Sequence, residues 1–586
     1  MIKFRKGNTM KKYLRLALVQ INPITGHLSY NRDKIISFIK EAEKEQADIV
    51  VFPELALTGY PPEDLLLKKH FIDDSLKELN YICQQVNDTI VYIGTVARKR
   101  RWIINNVAAV LHQQRVRAIY RKIELPNYSV FDEKRYFSPG RKFLILDVDD
   151  MLLGTSICGD IWIKKGFVIE KQANLGTKLN INLSASPYYA NKIQQRVDLL
   201  KEQALRFNTY ISYVNLVGGQ DDMVFDGGSM VISPNGKILA AAKQFEEDLL
   251  IVDLPRAELK AKIPLLKGNY YHVPLKLIEK KRDYNCGRIE KFYKKEDEIY
   301  QALLLGTRDY IYKTRFQKVV VGLSGGIDSA LTATIAVDAL GKENVNALFM
   351  PSRYTSAHSK EDVYRLASNL GIEIIEIPIE KIFLEYILTL TKIWGEVQFD
   401  KTEENLQARI RANLLMAFSN KKDWLVLAPG NKSEIAVGYT TIYGDLVGGF
   451  GILKDVYKTL VYKLARFRNQ QAGWELIPGN IIKKTPSAEL REGQKDTDFL
   501  PAYRILDNIL QEYIEKDNSL YRIVENSGLD VKTIMRVIQL VDNNEFKRRQ
   551  APPGIRITPK SFGKDRRLPI IDGYRIDFYV QPCEFD

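Results

Sequence analysis

Cysteine is scarce in this sequence of 586 residues, and long apolar runs are absent. The four cysteines lie far apart and none belongs to a C-x-x-C pair, so the pattern implies neither a disulfide framework nor a zinc site. No apolar stretch approaches the roughly 18 residues that a transmembrane helix needs. The sequence therefore predicts a protein of the reducing cytoplasm with no membrane partner.

A secretory signal is also missing. The short apolar stretch LRLALV at residues 14–19 follows several basic residues, but Arg15 interrupts it and no Ala-x-Ala site comes after it. We interpret residues 14–20 as a first strand. Residues 1–9 are expected to be a disordered extension, with Met10 as an alternative start.

The formal net charge of +14 raises the question of a nucleic-acid partner. The basic residues are scattered, however, and a modest cluster occurs only near the C-terminus, at residues 547–549 and 564–567. Nucleic-acid binders usually carry a continuous basic patch or stripe, and a small polyanionic substrate explains a local cluster equally well. We therefore expect no nucleic-acid partner. A nucleic-acid-binding protein built on an inactive enzyme scaffold remains the alternative.

The chain is too long for one hydrophobic core, and about 150 residues per domain allows two to four domains. From residue 14 to about 254, β-branched segments such as 151–157 alternate with amphipathic ones such as 192–207, which is typical of an α/β fold. A charged, glycine-poor stretch follows, and a second βα pattern begins at residue 318. We assign an N-terminal domain to 10–265, a connector to 266–297 and a C-terminal domain to 298–586.

The segment VVVGLSGGIDS at residues 319–329 joins a β-branched run to a turn rich in glycine and serine. Such a turn directs backbone amides, and the positive end of the helix that follows, at a bound anion. The Gly-Lys-Ser/Thr ending of a Walker A motif is absent, so γ-phosphate transfer is disfavoured. The segment resembles the loop of the PP-loop ATP pyrophosphatases. This resemblance implies a parallel-sheet domain with an ATP site at Gly322, Leu323, Ser324, Gly325, Gly326, Ile327, Asp328 and Ser329.

Three residues of the N-terminal half, Glu54, Lys122 and Cys158, follow predicted strands in polar, turn-rich settings. Alone, a cysteine is usually a small core residue and a Glu or Lys is usually solvated. Together they suit attack on a carboxamide, because a thiolate is the nucleophile and a carboxylate accepts its proton. A nearby ammonium favours the thiolate and, with a backbone amide, stabilises the oxyanion.

The surrounding segments are FPELALTGY at 52–60, LPNYSVFDE at 125–133 and ICGDIW at 157–162. They resemble the nitrilase-like glutamine amidotransferase domains. The resemblance implies an α-β-β-α sandwich in which Glu54, Lys122 and Cys158 are the catalytic triad. It further implies a supporting carboxylate at Glu133 and glutamine contacts at Tyr128, Ser186 and Lys192.

A nitrilase-like amidase followed by a PP-loop domain is a narrow combination, and nearly the whole chain resembles the glutamine-dependent NAD synthetase family. Further segments that carry this resemblance are MPSRYTS at 350–356, ENLQARIR at 404–411, GNKSE at 430–434 and PSAEL at 486–490. It implies amidation of deamido-NAD to NAD with ATP and with ammonia from L-glutamine, through an adenylated intermediate. Members of the family are oligomers, so we expect a homo-oligomer, either a dimer or an octamer.

The same resemblance implies a set of ligand contacts in the C-terminal half. Mg²⁺, which prefers oxygen ligands, is expected on Asp328 and Glu434. Lys458 and Thr459 are expected to close over the ATP phosphates. Contacts to deamido-NAD are expected from Asn405, Arg409, Glu434 and Lys547, with Asn405 and Arg409 four residues apart on one face of a helix.

Two departures from the family pattern are visible. Gly159 stands where members usually carry Glu, and Pro429 stands where they usually carry a Thr that contacts ATP. Because proline lacks both a hydroxyl and an amide hydrogen, we expect one nucleotide contact to be lost or replaced. A PP-loop amidotransferase that acts on another carboxylate or on a nucleobase is the alternative enzyme.

Overall fold

The computed structural model describes residues 12–100, 103–261, 269–280, 282–395 and 398–574. The expected extension at 1–9 and the alternative start at Met10 lie outside the described residues. The chain forms two compact units, Met1–Glu298 and Ile299–Asp586. Across the described ranges, no helix is both long and apolar enough to cross a membrane.

The first unit is built on two large sheets flanked by helices. Its strands are β1 (Tyr13–Gln20), β2 (Ile49–Val51), β3 (Ile90–Arg100), β4 (Ile103–His112), β5 (Arg115–Arg121), β6 (Phe143–Val148), β7 (Met151–Ile157), β8 (Leu179–Ser184), β9 (Tyr210–Asn215), β10 (Val217–Gln220), β11 (Met223–Asp226), β12 (Met230–Ile232), β13 (Ile238–Ala241), β14 (Asp248–Pro255) and β15 (Tyr270–Leu275). Its helices are α1 (Leu28–Lys44), α2 (Lys69–Gln85), α3 (Glu133–Tyr136), α4 (Gly159–Trp162), α5 (Phe167–Asn174), α6 (Lys192–Phe207) and α7 (Arg256–Leu259).

One sheet has the order β14-β1-β2-β3-β4-β5 and the other β13-β12-β9-β8-β7-β6-β15. Alternation along β1 shows how they stack, since successive side chains of a strand point to opposite faces. Leu16 and Leu18 join a core with residues of the second sheet, such as Ile181, whereas Val19 joins a core with α1 and α2. Helix α6 packs on the outer face of the second sheet. The expected α-β-β-α sandwich is confirmed.

The segment interpreted as a connector, 266–297, is not a plain linker. Its residues Tyr270–Leu275 form β15, which pairs in parallel with β6 at the edge of the second sheet. Farther along, the carbonyls of Asn285 and Arg288 accept the backbone N–H groups of Asp253 and Ala241. The charged composition suggested a linker, but these backbone hydrogen bonds join much of the segment to the first unit.

Helix α8 (Lys295–Lys313) leads into the second unit, whose sheet is parallel throughout with the order β18-β17-β16-β19. The strands are β16 (Lys318–Leu323), β17 (Val345–Phe349), β18 (Ile374–Glu376) and β19 (Trp424–Leu427). The helices are α9 (Ile327–Leu340), α10 (Ala357–Leu370), α11 (Glu380–Trp394), α12 (Lys401–Lys422), α13 (Lys432–Val437), α14 (Lys458–Ala472), α15 (Gly479–Lys483), α16 (Tyr503–Leu510), α17 (Leu520–Ser527), α18 (Val531–Asn543) and α19 (Glu545–Arg548). The parallel sheet expected for a PP-loop domain is confirmed.

Candidate active sites

Cys158 occupies the sharp turn between β7 and α4. Its backbone has φ +35° and ψ −95°, a left-handed conformation that strains a residue with a side chain by roughly 1–3 kcal/mol. Its N–H donates to the carbonyl of Leu183 at 2.8 Å, and the residue is buried. The turn thus fixes the thiol at the carboxyl end of a central strand.

Lys122 lies between two carboxylates in the same unit. Its Nζ donates to Glu54 Oε1 at 2.6 Å and to Glu133 Oε1 at 2.7 Å, and all three side chains are buried. Glu54 also accepts from Asn106 Nδ2 at 2.7 Å and from the N–H of Ala185 at 3.0 Å. The fold therefore gathers the acid, the ammonium and the supporting carboxylate named from sequence.

The electrostatics of this centre differ from the expectation that the ammonium makes Cys158 a thiolate. Burial and the negative charge of Glu54 raise the pKa of Cys158 to about 12, which outweighs the opposing effect of Lys122. Burial acts against the charge of Lys122, but Glu133 and Glu54 together raise the pKa of Lys122 above its ordinary value. The resting thiol is therefore protonated beside an ionised lysine, so attack requires a proton acceptor.

Asp160 is a buried residue that the sequence analysis missed. Its Oδ1 accepts the backbone N–H groups of Ile123 and Glu124 at 3.1 and 2.8 Å, and its Oδ2 accepts the Tyr120 hydroxyl and the N–H of Ile157 at 2.7 and 2.9 Å. One carboxylate thus ties the end of β5, which precedes Lys122, to the turn of Cys158. A polar residue two positions after the cysteine in ICGDIW was the available signal.

Gly159, where the sequence departs from the family pattern, has little space for a side chain. A Cβ added there would lie 2.7 Å from the carbonyl oxygen of Glu124 and 3.2 Å from Pro126 Cδ. A side chain at this position therefore requires the segment at 124–126 to move. That segment leads to Tyr128.

The three residues expected to contact glutamine border this centre. Ser186 directly follows Ala185 and donates its N–H to Asn215 Oδ1 at 2.9 Å. Lys192 begins α6, and its Nζ lies 3.9 Å from the ring centroid of Trp162, the last residue of α4. The Tyr128 side chain as a whole is largely exposed, but partial burial at its hydroxyl, followed by the negative charge of an ionised Cys158, raises the pKa of Tyr128.

In the second unit, the loop between β16 and α9 is folded by internal hydrogen bonds and lies at the N-terminus of α9. Ser329 Oγ accepts the N–H of Ser324 at 3.3 Å, and Ser324 Oγ accepts that of Gly326 at 3.3 Å. Gly325 has φ +78°, and a Cβ there would lie 2.8 Å from the carbonyl oxygen of Ser359. Glycine is required at 325 both for the left-handed backbone and for this close approach.

Lys458 lies between two carboxylates at the end of this loop. Its Nζ donates to Asp328 Oδ2 at 2.5 Å and to Glu434 Oε1 at 2.8 Å. Asn431 Nδ2 donates to the other oxygen of Asp328 at 2.9 Å. Burial raises the pKa of Glu434, with Lys458 opposing, while the carboxylates hold the pKa of Lys458 above its ordinary value despite burial.

This centre opens into a cavity of about 700 Å³ within the second unit. The volume suits a ligand of drug or nucleotide size. Its lining includes most of the residues that the sequence analysis assigned to ligands, namely Gly322, Leu323, Ser324, Gly326, Ile327, Asp328, Ser329, Asn405, Glu434, Lys458 and Lys547, and also Pro429.

Among the residues that the structure describes, the lining of the cavity includes neither Arg409 nor Thr459. Arg409 is exposed, and its Nε donates to the carbonyl of Ile442 at 3.2 Å. Thr459 donates its N–H to Asp507 Oδ2 at 2.9 Å. Helix α12 instead turns residues 401, 404, 405, 408, 411, 412 and 415 to the cavity, so the arginine of this helix that lines the cavity is Arg411, and a contact of Arg409 with deamido-NAD stays a prediction.

Arg411 is the arginine of α12 that lines the cavity. Its Nε donates to the carbonyl of Met350 at 3.0 Å, and burial lowers its pKa to about 10. A half-buried guanidinium at a cavity wall is suited to bind a phosphate or carboxylate. It belongs to the ENLQARIR segment, but sequence alone did not separate it from Arg409.

Lys432 faces away from the cavity although it lies in the GNKSE segment. Its Nζ donates to Thr558 Oγ1 at 2.6 Å and pairs with Asp455 at 2.8 Å in a fully buried setting. Asp455 also accepts the N–H groups of Ile557 and Thr558. Lys432 therefore anchors α13, and with it Glu434, to the segment around residue 558.

Two protein families match the chain, one in each of its two structural units. The carbon-nitrogen hydrolase family matches residues 15–263, and the NAD synthase family matches residues 299–551. The two matches cover the two centres separately.

Relatives match over almost the full length. The glutamine-dependent NAD(+) synthetase of Aquifex aeolicus is 47% identical over 96% of this chain and 100% of its own, and that of Thermotoga maritima is 44% identical over 96% and 99%. The solved structure of the glutamine-dependent NAD+ synthetase of Acinetobacter baumannii in complex with ADP is 40% identical, with a TM-score of 0.74 over 96% of this chain and 99% of that one. The chain therefore belongs to the glutamine-dependent NAD(+) synthetase family.

Proposed function

We propose that this enzyme converts deamido-NAD, ATP and L-glutamine into NAD, AMP, pyrophosphate and glutamate. The observation that carries the proposal is that one buried lysine lies between two carboxylates beside a strained cysteine, and another lies between two carboxylates at the glycine- and serine-rich loop before α9. The first suits amide hydrolysis and the second suits chemistry on a nucleoside triphosphate.

In the first half-reaction, Cys158 Sγ attacks the carboxamide carbon of glutamine while Glu54 takes the thiol proton. The ammonium of Lys122 and the N–H of Gly159 stabilise the oxyanion. Glu54 returns the proton to the leaving nitrogen, and ammonia departs. Water then hydrolyses the thioester, with Glu54 as the base, and releases glutamate.

Glutamine is held in this scheme by Tyr128, Ser186 and Lys192, and Glu133 orients Lys122. The 2.7 Å hydrogen bond from Lys122 Nζ to Glu133 is consistent with this orienting role of Glu133. Tyr60 donates its hydroxyl to the same Glu133 oxygen at 3.1 Å, which further fixes the carboxylate.

In the second half-reaction, the nicotinate carboxylate of deamido-NAD attacks the α-phosphorus of ATP, and pyrophosphate leaves. Ammonia then attacks the adenylated carboxyl carbon, forming the carboxamide and releasing AMP. The amides and hydroxyls of 322–329, together with Lys458, hold the pyrophosphate. Asn405, Glu434, Lys547 and Arg411 contact the dinucleotide, while Arg409 holds the carbonyl of Ile442 and Thr459 is held by the Asp507 carboxylate.

The residues around Lys458 fit a magnesium ion. Asp328 and Glu434 converge on the Lys458 ammonium, at 2.5 and 2.8 Å, and carboxylates are the oxygen ligands that Mg²⁺ prefers. No group of three or more His, Cys, Asp or Glu side chains suited to a metal occurs in the described ranges. Asp328 and Glu434 would be the side chains that hold the ion, and the ion would supply positive charge to neutralise the substrate phosphates.

We further propose a homo-oligomer that works in the cytoplasm. Helix α11 exposes Leu388, Ile393 and Trp394 by 59, 74 and 52%, and exposed apolar patches commonly mark self-association surfaces. A reducing compartment keeps Cys158 available as a thiol. Light scattering on purified protein distinguishes a monomer from a dimer or an octamer.

The test is NAD formation from deamido-NAD, ATP and Mg²⁺, with either glutamine or ammonium, in wild type and Cys158→Ala. We expect wild type to use both nitrogen sources and the variant to use only ammonium. Wild type that makes no NAD from either source refutes the proposal. In that case, pyrophosphate release with other carboxylates or nucleobases tests the alternative PP-loop amidotransferase.

A further inference from the structure

Glu298 is a buried carboxylate that neither half-reaction uses. It lies in the first turn of α8, and its side chain is almost fully enclosed. Its Oε2 accepts the backbone N–H of Asn191 at 3.1 Å. Its Oε1 is buried without a hydrogen-bond partner in the described part of the chain. A buried carboxylate with half of its hydrogen-bonding capacity unused is costly to the fold, which points to a functional reason for its position.

The backbone that Glu298 holds is unusual. Asn191 precedes α6 with φ +66° and ψ +12°, a left-handed conformation, and no side chain caps the helix there. Asparagine tolerates this left-handed conformation better than most residues, but the backbone is still strained. The hydrogen bond from its N–H to Glu298 stabilises the turn.

Lys192 follows this turn as the first residue of α6. Its ammonium lies over the ring of Trp162 at 3.9 Å, and Trp162 ends the short helix that starts beside Cys158. The direction in which the Lys192 side chain leaves the backbone is set by the Asn191 turn. Glu298 is thus connected through two consecutive residues to a proposed glutamine contact.

The charges around Glu298 form a closed buried group. Arg196, one turn farther along α6, pairs with Asp226 at 2.9 Å with both side chains fully buried. Burial raises the pKa of Glu298 to about 7; Asp226 adds to this effect, and the Asn191 N–H and Arg196 oppose it. The neutral form is therefore accessible, and either form retains an oxygen that can accept from Asn191.

We propose that Glu298 is a positioning residue of the glutamine site, which fixes the Asn191 turn and thereby places the Lys192 ammonium for substrate binding. This inference rests on the proposed function, because glutamine is the ligand proposed for Lys192. It gives the first turn of α8, the helix from which the second unit continues, a role in substrate binding by the first unit. Glu298 acts through Asn191 and Lys192 rather than by touching the substrate.

The test measures KM and kcat for glutamine, and ammonium-driven synthesis, in full-length Glu298→Ala and Glu298→Gln. Loss of one orienting hydrogen bond in Glu298→Ala is expected to raise the KM for glutamine about ten-fold, with kcat and ammonium-driven synthesis unchanged. Glu298→Gln keeps an acceptor oxygen and the side-chain volume, so its KM is expected to stay within about two-fold of wild type. Glu296→Ala, a partly exposed position in the same turn, is the matched control and is expected to match wild type.

A second pair of variants tests the turn without altering the buried carboxylate. Asn191→Gly keeps the N–H and adopts φ +66° without strain, whereas Asn191→Val resists that conformation. We expect the Gly variant to resemble wild type and the Val variant to raise the KM for glutamine as Glu298→Ala does.

An unchanged KM in both Glu298→Ala and Asn191→Val overturns the inference. So does an equal loss of ammonium-driven synthesis in Glu298→Ala, because that indicates general misfolding. The synthesis of NAD by the wild-type enzyme from each nitrogen source tests the proposed function separately. Wild type that uses ammonium but not glutamine refutes the glutaminase assignment and this inference together, whereas wild type that uses both with insensitive variants refutes only the inference.

Discussion

Each unit of the chain is centred on one lysine held between two carboxylates, but the two centres differ in their access to solvent. Around Lys122 the side chains of Glu54 and Glu133 are 0 and 5% exposed. Around Lys458 the side chains of Asp328 and Glu434 are 18 and 16% exposed and face a cavity of about 700 Å³.

The lysine and its two carboxylates do not by themselves define the chemistry of either unit. In the first unit the lysine and carboxylates lie beside a thiol in a strained turn, where a dry environment strengthens each charge. In the second unit they lie at the loop before α9 and face an open cavity. The neighbouring backbone and the access to solvent therefore distinguish the two centres.

Replacement of each lysine is the strongest test that the centres are separate. We expect Lys122→Met to lower glutamine-driven NAD synthesis by about 10²- to 10³-fold, the usual effect of removing one oxyanion donor, and to leave ammonium-driven synthesis intact. Lys458→Met is expected to lower synthesis from both nitrogen sources by a similar factor while glutamate release from glutamine continues.

Both lysine variants leave two buried carboxylates without their cation, which destabilises a fold by about 3–5 kcal/mol. Circular dichroism and thermal unfolding therefore accompany the assays. A folded Lys122→Met that loses ammonium-driven synthesis contradicts the separation of the centres.

The carboxyl group of Asp160, beside the first centre, is expected to make the stability of the protein depend on pH. Burial raises its pKa to about 6, with the backbone N–H of Glu124 the largest opposing contact, so the folded state holds this proton more tightly than the unfolded state. The protonated Asp160 carboxyl group therefore stabilises the folded state below about pH 4, and this stabilisation is lost as the pH rises through 6. Between pH 4 and 7, wild type is expected to lose about 3 kcal/mol more unfolding free energy than Asp160→Asn, as measured by urea unfolding.

The control for this titration is Asp221→Asn at an exposed turn, which removes one surface carboxyl and leaves the contacts of Asp160 in place. Equal pH dependence of wild type and Asp160→Asn contradicts the assignment of the proton to Asp160.

Glycine replacements compare how tightly the backbone encloses each centre. Gly159→Ala puts a Cβ 2.7 Å from the Glu124 carbonyl oxygen, so the segment that leads to Tyr128 must shift. We expect glutamine-driven synthesis to fall about 10- to 100-fold, since a displacement near 1 Å has that effect, and ammonium-driven synthesis to be unchanged.

Gly326→Ala is the counterpart at the second centre. The nearest atom to its Cβ is the Ser324 hydroxyl at 3.2 Å, which can rotate away. We expect a loss of less than about five-fold with either nitrogen source, corresponding to one weakened hydrogen bond. A larger loss in Gly326→Ala than in Gly159→Ala reverses the comparison.

The smallest effect is expected at Pro429, which lines the cavity of the second unit. Pro429→Thr restores a hydroxyl and an amide hydrogen, and one added hydrogen bond to ATP at the weak end of the usual range corresponds to about 0.5 kcal/mol or a KM about two-fold lower. The KM for ATP in ammonium-driven synthesis measures this. An unchanged value indicates that the site does not need the contact.

Much of the local structure was predictable from sequence. The expected strand at 151–157 and helix at 192–207 coincide with β7 and α6, because period-two and period-3.6 patterns of apolar residues are local properties. The connector was less predictable, since β15 gains its regularity from pairing with β6, which is distant in sequence.

The sequence by itself determined which chemical groups are available: a thiol, two lysines with their carboxylates, and an anion-binding loop, each recognisable from neighbouring residues. Only the tertiary structure decided which groups meet. Lys122 and Glu54 are 68 residues apart in sequence, and the rotation of α12 brings Arg411 rather than Arg409 to the cavity. Asp160 and Glu298 acquire their roles from contacts with distant backbone amides. Such contacts depend on how sheets and helices pack, and no local pattern encodes that packing.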